Sequence, residues 1–130
     1  MCFYIHPKHR EKKVAKRDIV CYKYGHVRDG KFVPSVHLGF HYRFGEKVEQ
    51  DCKRWPYTMH ITTRNRLGSE IAFIYKGFHS YSNKKALKRG PLSGYRFVKC
   101  IIPKGTEYFY NPVYKQYVSR ALIVQEEIQI

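Results

Sequence analysis

Acidic residues are scarce in this chain, and one long stretch contains none. Of the 130 residues, 10 are Asp or Glu against 25 Lys and Arg, which gives a formal net charge of +15. No carboxylate occurs between Ile71 and Thr106. Few groups are therefore available for acid–base catalysis by paired carboxylates. A surface charge of one sign attracts phosphates, whether in a nucleotide or in nucleic acid.

The signatures of secretion, membrane insertion and common catalytic sites are also missing. No apolar run approaches the ~20 residues of a membrane helix, and the opening MCFYIHPKH has no apolar signal-peptide core. There is no Gly-rich phosphate loop and no nucleophile elbow. The four cysteines form no CxxC pair, and the histidines match no standard zinc spacing. We therefore expect a cytoplasmic protein with free thiols, no cofactor, no metal and no membrane partner.

Length and apolar pattern predict a single domain over residues 1–130. We expect an α+β fold, sheet-dominated, with one or two short helices. The clearest predicted strands are Asp18–Tyr24, Tyr57–Thr63, Tyr95–Ile102, Thr106–Tyr110 and Tyr117–Val124. A tight turn is predicted at Asp29-Gly30, a helix at Asn83–Arg89 after the capping Ser82, and a loop at Glu46–Arg54. Residues 70–76 fit either helix or strand, and the charged residues 6–17 are predicted to form an exposed basic arm or short helix.

The acid-free stretch interleaves cations with aromatic rings, which is the combination that a nucleotide or a single strand requires. The candidate ligand-binding residues are Phe78, His79, Ser80, Tyr81, Arg96, Lys99 and Lys104. Phe78 and Tyr81 would stack on a base, while the cations and His79 would contact phosphates. Two simpler interpretations stay open. Lys84, Lys85, Lys88 and Arg89 could form only the solvated face of a helix, and His79 could have a structural role.

Alternation along residues 95–102 places Arg96 and Cys100 on one face of a strand and Phe97, Lys99 and Ile101 on the other. We expect Phe97 and Ile101 to face the core. Lys99 would then be a cation on the core side, which is costly unless it is paired or lines a pocket. Alternatively, Lys99 lies near a sheet edge and its stem reaches solvent.

Four segments resemble small uncharacterised proteins of tailed phages and prophages. These segments are Cys21-Tyr22-Lys23, Gly77–Tyr81 (GFHSY), Lys99–Tyr108 (KCIIPKGTEY) and Tyr117-Val118-Ser119. The resemblance implies a counter-defence factor in the host cell cytoplasm that sequesters a nucleotide immune signal.

The order of these segments is similar, more distantly, to that in ADP-ribosyltransferases. In those enzymes an Arg or His on a first strand, a Ser or Tyr motif and a catalytic Glu follow one another. Ser80-Tyr81 matches the second motif, but Tyr22–Tyr24 contains neither Arg nor His, and no Glu occurs in Tyr117–Arg120. The resemblance therefore implies a degenerate pocket that still binds a nucleotide.

The sequence thus predicts a non-enzymatic binder of an anionic, nucleotide-like small molecule. Two alternatives remain. One is a nucleic-acid-binding module, or an inhibitor that docks on a nucleic-acid-guided complex, because a small ligand would not need the basic segment 6–17. The other is an ADP-ribosyltransferase-like enzyme.

Overall fold

The computed structural model describes residues 3–5, 11–34, 41–50, 59–62, 71–74, 77–87 and 95–129. In these residues the chain forms thirteen strands and one four-residue helix. The strands are β1 Phe3–Ile5, β2 Lys13–Val14, β3 Ile19–Arg28, β4 Lys31–Pro34, β5 Tyr42–Arg43, β6 Lys47–Glu49, β7 Met59–Thr62, β8 Ile71–Ile74, β9 Phe78–Tyr81, β10 Arg96–Ile102, β11 Glu107–Asn111, β12 Gln116–Ser119 and β13 Ala121–Ile128; the helix is α1 Lys84–Leu87.

The strands form two antiparallel sheets. The larger sheet has ten strands in the order β2-β11-β12-β9-β3-β10-β13-β6, with β4 attached to β3 and β5 attached to β4. The smaller sheet has the order β1-β8-β7. The prediction of a sheet-dominated fold is confirmed. The helical share is smaller than an α+β class implies, because α1 is the one helix in the described ranges.

Strand β3 lies at the centre of the larger sheet, and its side chains alternate between two faces. Cys21, Lys23 and Gly25 are buried on one face, whereas Tyr22 and Tyr24 are half-buried on the other. On one edge β3 pairs with β10 from Ile19 to Gly25; on the other it pairs with β9 at Tyr22 and with β4 from Gly25 onward. The β-branched and aromatic composition that predicted this strand suits a pleated surface packed on both sides.

The main core lies against the buried face of β3 and β10. It consists of Ala15, Cys21, Phe32, Tyr42, Phe78, Val98, Cys100, Ile102, Leu122 and Val124. A second group of buried side chains, from Leu87 on α1 and the paired Phe109 and Val118 on β11 and β12, completes the packing. Helix α1 packs against β3 and β9. The sheet therefore buries apolar side chains on both faces.

Strand β10 corrects the prediction of which face is buried. The alternation is as expected, but Val98, Cys100 and Ile102 face the core, whereas Phe97 and Ile101 are half-buried on the other side. The expected inward position of Phe97 and Ile101 was wrong because both faces of this strand are apolar, and alternation alone does not choose between them. Lys99 therefore lies opposite the core face. The cation in the core is Lys23 of the neighbouring strand.

Several local predictions were confirmed and others need revision. The segment 70–76 contains strand β8, and Glu46–Arg54, expected as a loop, contains strand β6, which pairs with β13. The single strand expected over Tyr117–Val124 is two strands, β12 and β13, which meet at Arg120. The part of the predicted helix beyond Leu87 and residues 6–10 of the predicted arm lie outside the described residues.

The predicted turn at Asp29-Gly30 is confirmed. Both residues have positive φ angles, 51° and 72°, as the turn between β3 and β4 requires. The hairpin then folds closely onto β3, because an added Cβ at Gly25 would lie 2.2 Å from the Val33 carbonyl oxygen and 2.9 Å from the Pro34 Cα. Glycine is needed at position 25 for this close approach and at position 30 for its backbone angle.

Gly25→Ala should lower the free energy of unfolding by about 1–3 kcal/mol or more, because the new methyl group meets backbone atoms that have no room to move. Gly30→Ala is the matched control; its Cβ would meet nothing within 4 Å, so only the positive φ opposes it, at a cost of about 1–2 kcal/mol. Urea unfolding of both variants measures the difference. A smaller loss at Gly25 than at Gly30 would contradict the close approach of β4.

Candidate functional site

A wide groove opens beside the start of β3. Residues 11–20 line it together with Tyr108 and Tyr117, and its volume is about 1120 Å³. Four of the lining side chains are cationic, namely those of Lys12, Lys13, Lys16 and Arg17, and two are anionic, Glu11 and Asp18. We call this feature the basic groove. Its size is comparable with that of small-molecule sites, whose volumes are roughly 300–1000 Å³.

The basic segment that forms the rim is attached to the sheet by backbone hydrogen bonds. Ala15 is 2% exposed; its N–H donates to the Thr106 carbonyl over 2.9 Å, and its carbonyl accepts from the Gly105 N–H over 2.8 Å. Strand β2 pairs with β11 next to these bonds. Residues 11–17 of the predicted arm are mostly exposed, as expected. They lie along the edge of the sheet, however, and Lys13–Val14 form a strand and not a helix.

Glu107 links this rim to the rest of the sheet. Its carboxylate accepts from Lys12 and, over 2.8 Å, from Nη1 of Arg120 at the β12–β13 junction. The hydrogen bond from Lys12 lowers the pKa of Glu107; partial burial opposes this shift, and a smaller contribution from the Arg120 hydrogen bond adds to it. Glu107 is therefore ionised near neutral pH, and its carboxylate forms ion pairs with both Lys12 and Arg120. This leaves it as a structural link rather than a free acid.

Tyrosine side chains form the wall of the groove on the sheet side. The rings of Tyr108 and Tyr117 meet edge to face with centroids 5.7 Å apart, and Tyr110 lies 4.8 Å from Tyr117. Burial raises the pKa of Tyr117 to about 12, with smaller contributions from the neighbouring tyrosines and Cys21. Its hydroxyl is therefore neutral at physiological pH. The alternating pattern of Glu107–Asn111 could have predicted this wall from the sequence, because it places Tyr108 and Tyr110 on the face opposite Phe109.

The residues predicted to bind a ligand do not form one cluster in the structure. Phe78 is 5% exposed and packs against Tyr42 in the core, with ring centroids 6.0 Å apart, and Ser80 is fully buried beside it. His79 and Tyr81 point to the other face of β9, where the ring of Tyr81 stacks on Tyr24 at 6.1 Å. The Phe78 ring is thus covered by the core and has no open face on which a base could stack.

The predicted cations are similarly dispersed. Arg96 Nη1 donates to Oε1 of Glu127 over 2.8 Å at an exposed position. Lys99 is half-buried opposite Tyr22 on the face away from the core. Lys104 lies in the exposed turn after β10, and its backbone N–H donates to Asp18 over 2.8 Å. Of these three, Lys104 is therefore the one close to the basic groove.

The sequence analysis missed a polar cluster in the middle of the core, around Lys23. This lysine is 8% exposed; its ammonium donates to the His79 carbonyl and lies 5.6 Å from the centre of the Tyr42 ring. Burial lowers its pKa, although the nearby Cys100 and Cys21 thiols oppose the shift. The pattern in Cys21–Gly25 could have revealed it, because Lys23 shares the face of Cys21 on a strand of period two.

Two cysteines complete this cluster. Cys21 and Cys100 are free, fully buried and directly opposite each other on β3 and β10, as expected for core thiols. Burial raises the pKa of Cys100 well above its usual value. Burial has the same tendency at Cys21, but hydrogen bonds from Cys100 and Ser80 and the charge of Lys23 bring the pKa of that thiol below its ordinary value. Cys21 is therefore the more acidic member of the pair.

Two features are absent from the described ranges. Within them, no three His, Cys, Asp or Glu side chains are grouped closely enough to hold a metal ion. The helical part of the same residues includes no segment with the length and apolarity that crossing a membrane requires.

Lys23→Met should raise the free energy of unfolding near neutral pH by about 1–4 kcal/mol, because an apolar side chain of similar shape avoids burying a charge. Since burial lowers the pKa of Lys23, the folded protein releases this proton at a lower pH than the unfolded chain. The wild-type protein therefore gains stability as pH rises from the lowered pKa towards the ordinary value of 10.5, and the advantage of methionine shrinks over that window.

Denaturant unfolding of both proteins at several pH values tests this expectation. Lys99→Met is the matched control, because it removes a lysine from the other face of the same sheet and should change stability by less than about 0.5 kcal/mol. An advantage of Lys23→Met that grows with pH would contradict a lowered pKa at Lys23.

Comparison of the chain with protein-family models, with curated proteins and with solved structures gave no significant match.

Proposed function

We propose that this chain binds an anionic, nucleotide-like ligand in the basic groove, without chemical conversion of that ligand. The observation that carries the proposal is the combination of a cationic rim with a tyrosine wall in one concave site. The cationic rim suits phosphate groups, and the tyrosine wall suits a planar base. Such a protein would act by sequestration, which is the role that the counter-defence interpretation needs.

The charges of the rim are available for a ligand. Lys13, Lys16 and Arg17 are exposed, and none of the three forms an ion pair with another described residue. Of the two acids in the groove, Asp18 already accepts the Lys104 N–H. The groove therefore retains an excess of positive charge after its internal contacts are made. Because phosphate oxygens accept charge-assisted hydrogen bonds from such groups, they are the expected occupants of the rim.

Binding is favoured over group transfer by the state of the nearby carboxylates. Glu107, the acid on the strand beside the groove, is engaged by Lys12 and Arg120, and its lowered pKa keeps it from donating a proton near neutral pH. Of the two acids that line the groove, Asp18 accepts the Lys104 N–H and Glu11 is exposed, whereas glycosyl transfer from a dinucleotide would need a carboxylate held against the ligand. A protein that only sequesters its ligand has no such requirement.

The basic segment that lines the groove also suits a single-stranded oligonucleotide, which is the second candidate. The specific observation is size, because the open groove of about 1120 Å³ lies at or above the upper end of the roughly 300–1000 Å³ range of small-molecule sites. Salt dependence separates the two candidates. A single strand should give a slope of log affinity against log salt of about −0.7 for each phosphate contacted, so a long contact gives a steep slope.

Titration of the wild-type protein with cyclic nucleotides, ADP-ribose-type nucleotides and short oligonucleotides should identify a ligand by calorimetry. A ligand at about 100 times its Kd should add about 2.7 kcal/mol to the free energy of unfolding. The double variant Lys16→Ala/Arg17→Ala should weaken that binding by about tenfold or more through the loss of charge-assisted hydrogen bonds. Lys85→Ala on α1, an exposed lysine away from the groove, is the control and should bind as the wild type does.

Two outcomes would overturn the proposal. One is that no phosphate-containing compound in the panel shifts unfolding at millimolar concentration. The other is that Lys85→Ala weakens binding as much as the rim variant does, which would place the ligand elsewhere.

Tyr108→Ala tests the wall of the groove. If a base stacks on this ring, the substitution should weaken binding by about 1–3 kcal/mol. Tyr114→Ala removes a tyrosine from the exposed turn between β11 and β12, outside the groove, and should leave the Kd unchanged. Equal affinities of the Tyr108 variant and the wild-type protein would rule out stacking at this wall. Unfolding curves of both variants check that the folded state is retained.

A further inference from the structure

The two core cysteines have the geometry of a redox pair. Cys21 and Cys100 are Cα partners in the regular ladder between β3 and β10. Cα atoms of directly opposite residues in an antiparallel pair are roughly 4.5–5.5 Å apart, which lies inside the roughly 4.4–6.8 Å range that a disulfide spans. Both side chains are fully buried on the core face of this sheet, so the two sulfurs lie on the same side of it. The backbone spacing of a directly paired position is therefore compatible with a disulfide.

The surroundings of the pair are polar, although both thiols are fully buried. Lys23 is two residues from Cys21 on the same face of β3, and its charge acts on both sulfurs. The fully buried Ser80 lies on the neighbouring strand β9, on the same face of the sheet. A buried cysteine in apolar surroundings is inert, whereas a neighbouring cation favours the thiolate that reacts.

We propose that Cys21 and Cys100 are a peroxide-reactive dithiol that closes to an intramolecular disulfide. This inference is independent of the basic groove and goes beyond ligand binding. In a reducing compartment the pair stays as two thiols. An oxidant of the peroxide class converts it, and thiol–disulfide exchange with a small thiol restores it.

The reaction has two steps, and each balances. The Cys21 thiol gives up its proton and the thiolate attacks one oxygen of hydrogen peroxide; an S–O bond forms, the O–O bond breaks, and the departing hydroxide takes up that proton as water. Cys21 is thereby oxidised to a sulfenic acid. The Cys100 sulfur then attacks the Cys21 sulfur; an S–S bond forms, the S–O bond breaks, and the departing hydroxide takes the Cys100 proton as water. Overall, two thiols and one hydrogen peroxide yield one disulfide and two waters.

A small oxidant has a short route to the pair. Tyr117 lines the basic groove and pairs with Ser80 across the β9–β12 ladder, and β9 pairs in turn with β3, which carries Cys21. Tyr117 and Ser80 therefore lie between the groove and the strand of the sulfur. Hydrogen peroxide is close to water in size and polarity, so local opening at Tyr117 suffices, whereas larger thiol reagents should react slowly with the folded protein.

Treatment of the folded wild-type protein with hydrogen peroxide, followed by intact-mass analysis and peptide mapping, tests the proposal. We expect a product lighter by two hydrogen atoms, with Cys21 linked to Cys100, and recovery of the original mass on addition of dithiothreitol. Near-UV circular dichroism of the oxidised protein should retain the folded signal, which shows that the bond formed without unfolding.

Variants assign the roles of the residues. In Cys100→Ser the sulfenic acid of Cys21 should persist and be trapped by dimedone, whereas Cys21→Ser should give no adduct at position 100. Lys23→Met should slow disulfide formation by about tenfold or more, since the thiolate loses its cation. Lys99→Met, a lysine on the other face of β10 next to Cys100 in sequence, should react at the wild-type rate.

Three results would overturn the proposal. The first is a folded wild-type protein that keeps both core thiols at peroxide concentrations that oxidise a free cysteine peptide. The second is a mapped disulfide that joins other cysteines. The third is an equal rate for the Lys23→Met and wild-type proteins. The mapping on wild-type protein decides the main claim even if a cysteine variant does not fold.

Discussion

Strand β3 pairs with β10 from Ile19 to Gly25, with β9 at Tyr22 and with β4 from Gly25 onward, and much of the described fold follows from this pairing. Because side chains alternate along a strand, the pairing fixes which residues of four strands share the core face. Cys21 and Lys23 of β3 are thereby placed with Cys100 of β10 and Ser80 of β9. A shift of register by one residue would exchange them for Tyr22 and its neighbours and would expose the core.

The buried lysine has a structural role within this constraint. An isolated ammonium in an apolar core costs several kcal/mol, but Lys23 has the His79 carbonyl as acceptor and the Tyr42 ring beside it. The β3–β9 ladder consists of one residue pair, Tyr22 with Tyr81, so the bond from Lys23 to His79 is a second link between these strands. The charge of Lys23 also acts on the thiols of Cys21 and Cys100. One side chain therefore influences both the strand pairing and the pKa values of the thiols.

The sequence was a good guide to elements and a poor guide to how they meet. Composition predicted β3 and β10, and the Asp29-Gly30 pair predicted the turn, because each depends on local backbone preference. The candidate ligand-binding residues were chosen for nearness in sequence. Alternation within Phe78–Tyr81 sends neighbouring residues to opposite faces, so these residues do not form one cluster. The basic groove joins residues of β2 with residues of β11 and β12, about 95 to 105 positions later in the chain, and no local pattern reports such a long-range pairing.

The ends of the larger sheet are formed by two of its shortest strands. The path runs from β2, two residues long, to β6, three residues long, with Lys13 in the first and Lys47 in the second. A short border strand offers few open backbone donors and acceptors to another chain, and a lysine there repels a second positively charged molecule. The described part of the chain is mostly strand. Even so, the strands at the two ends of the larger sheet offer few backbone groups to which a strand of another molecule could add. Such borders disfavour edge-to-edge association between copies of a chain with 12 tyrosines.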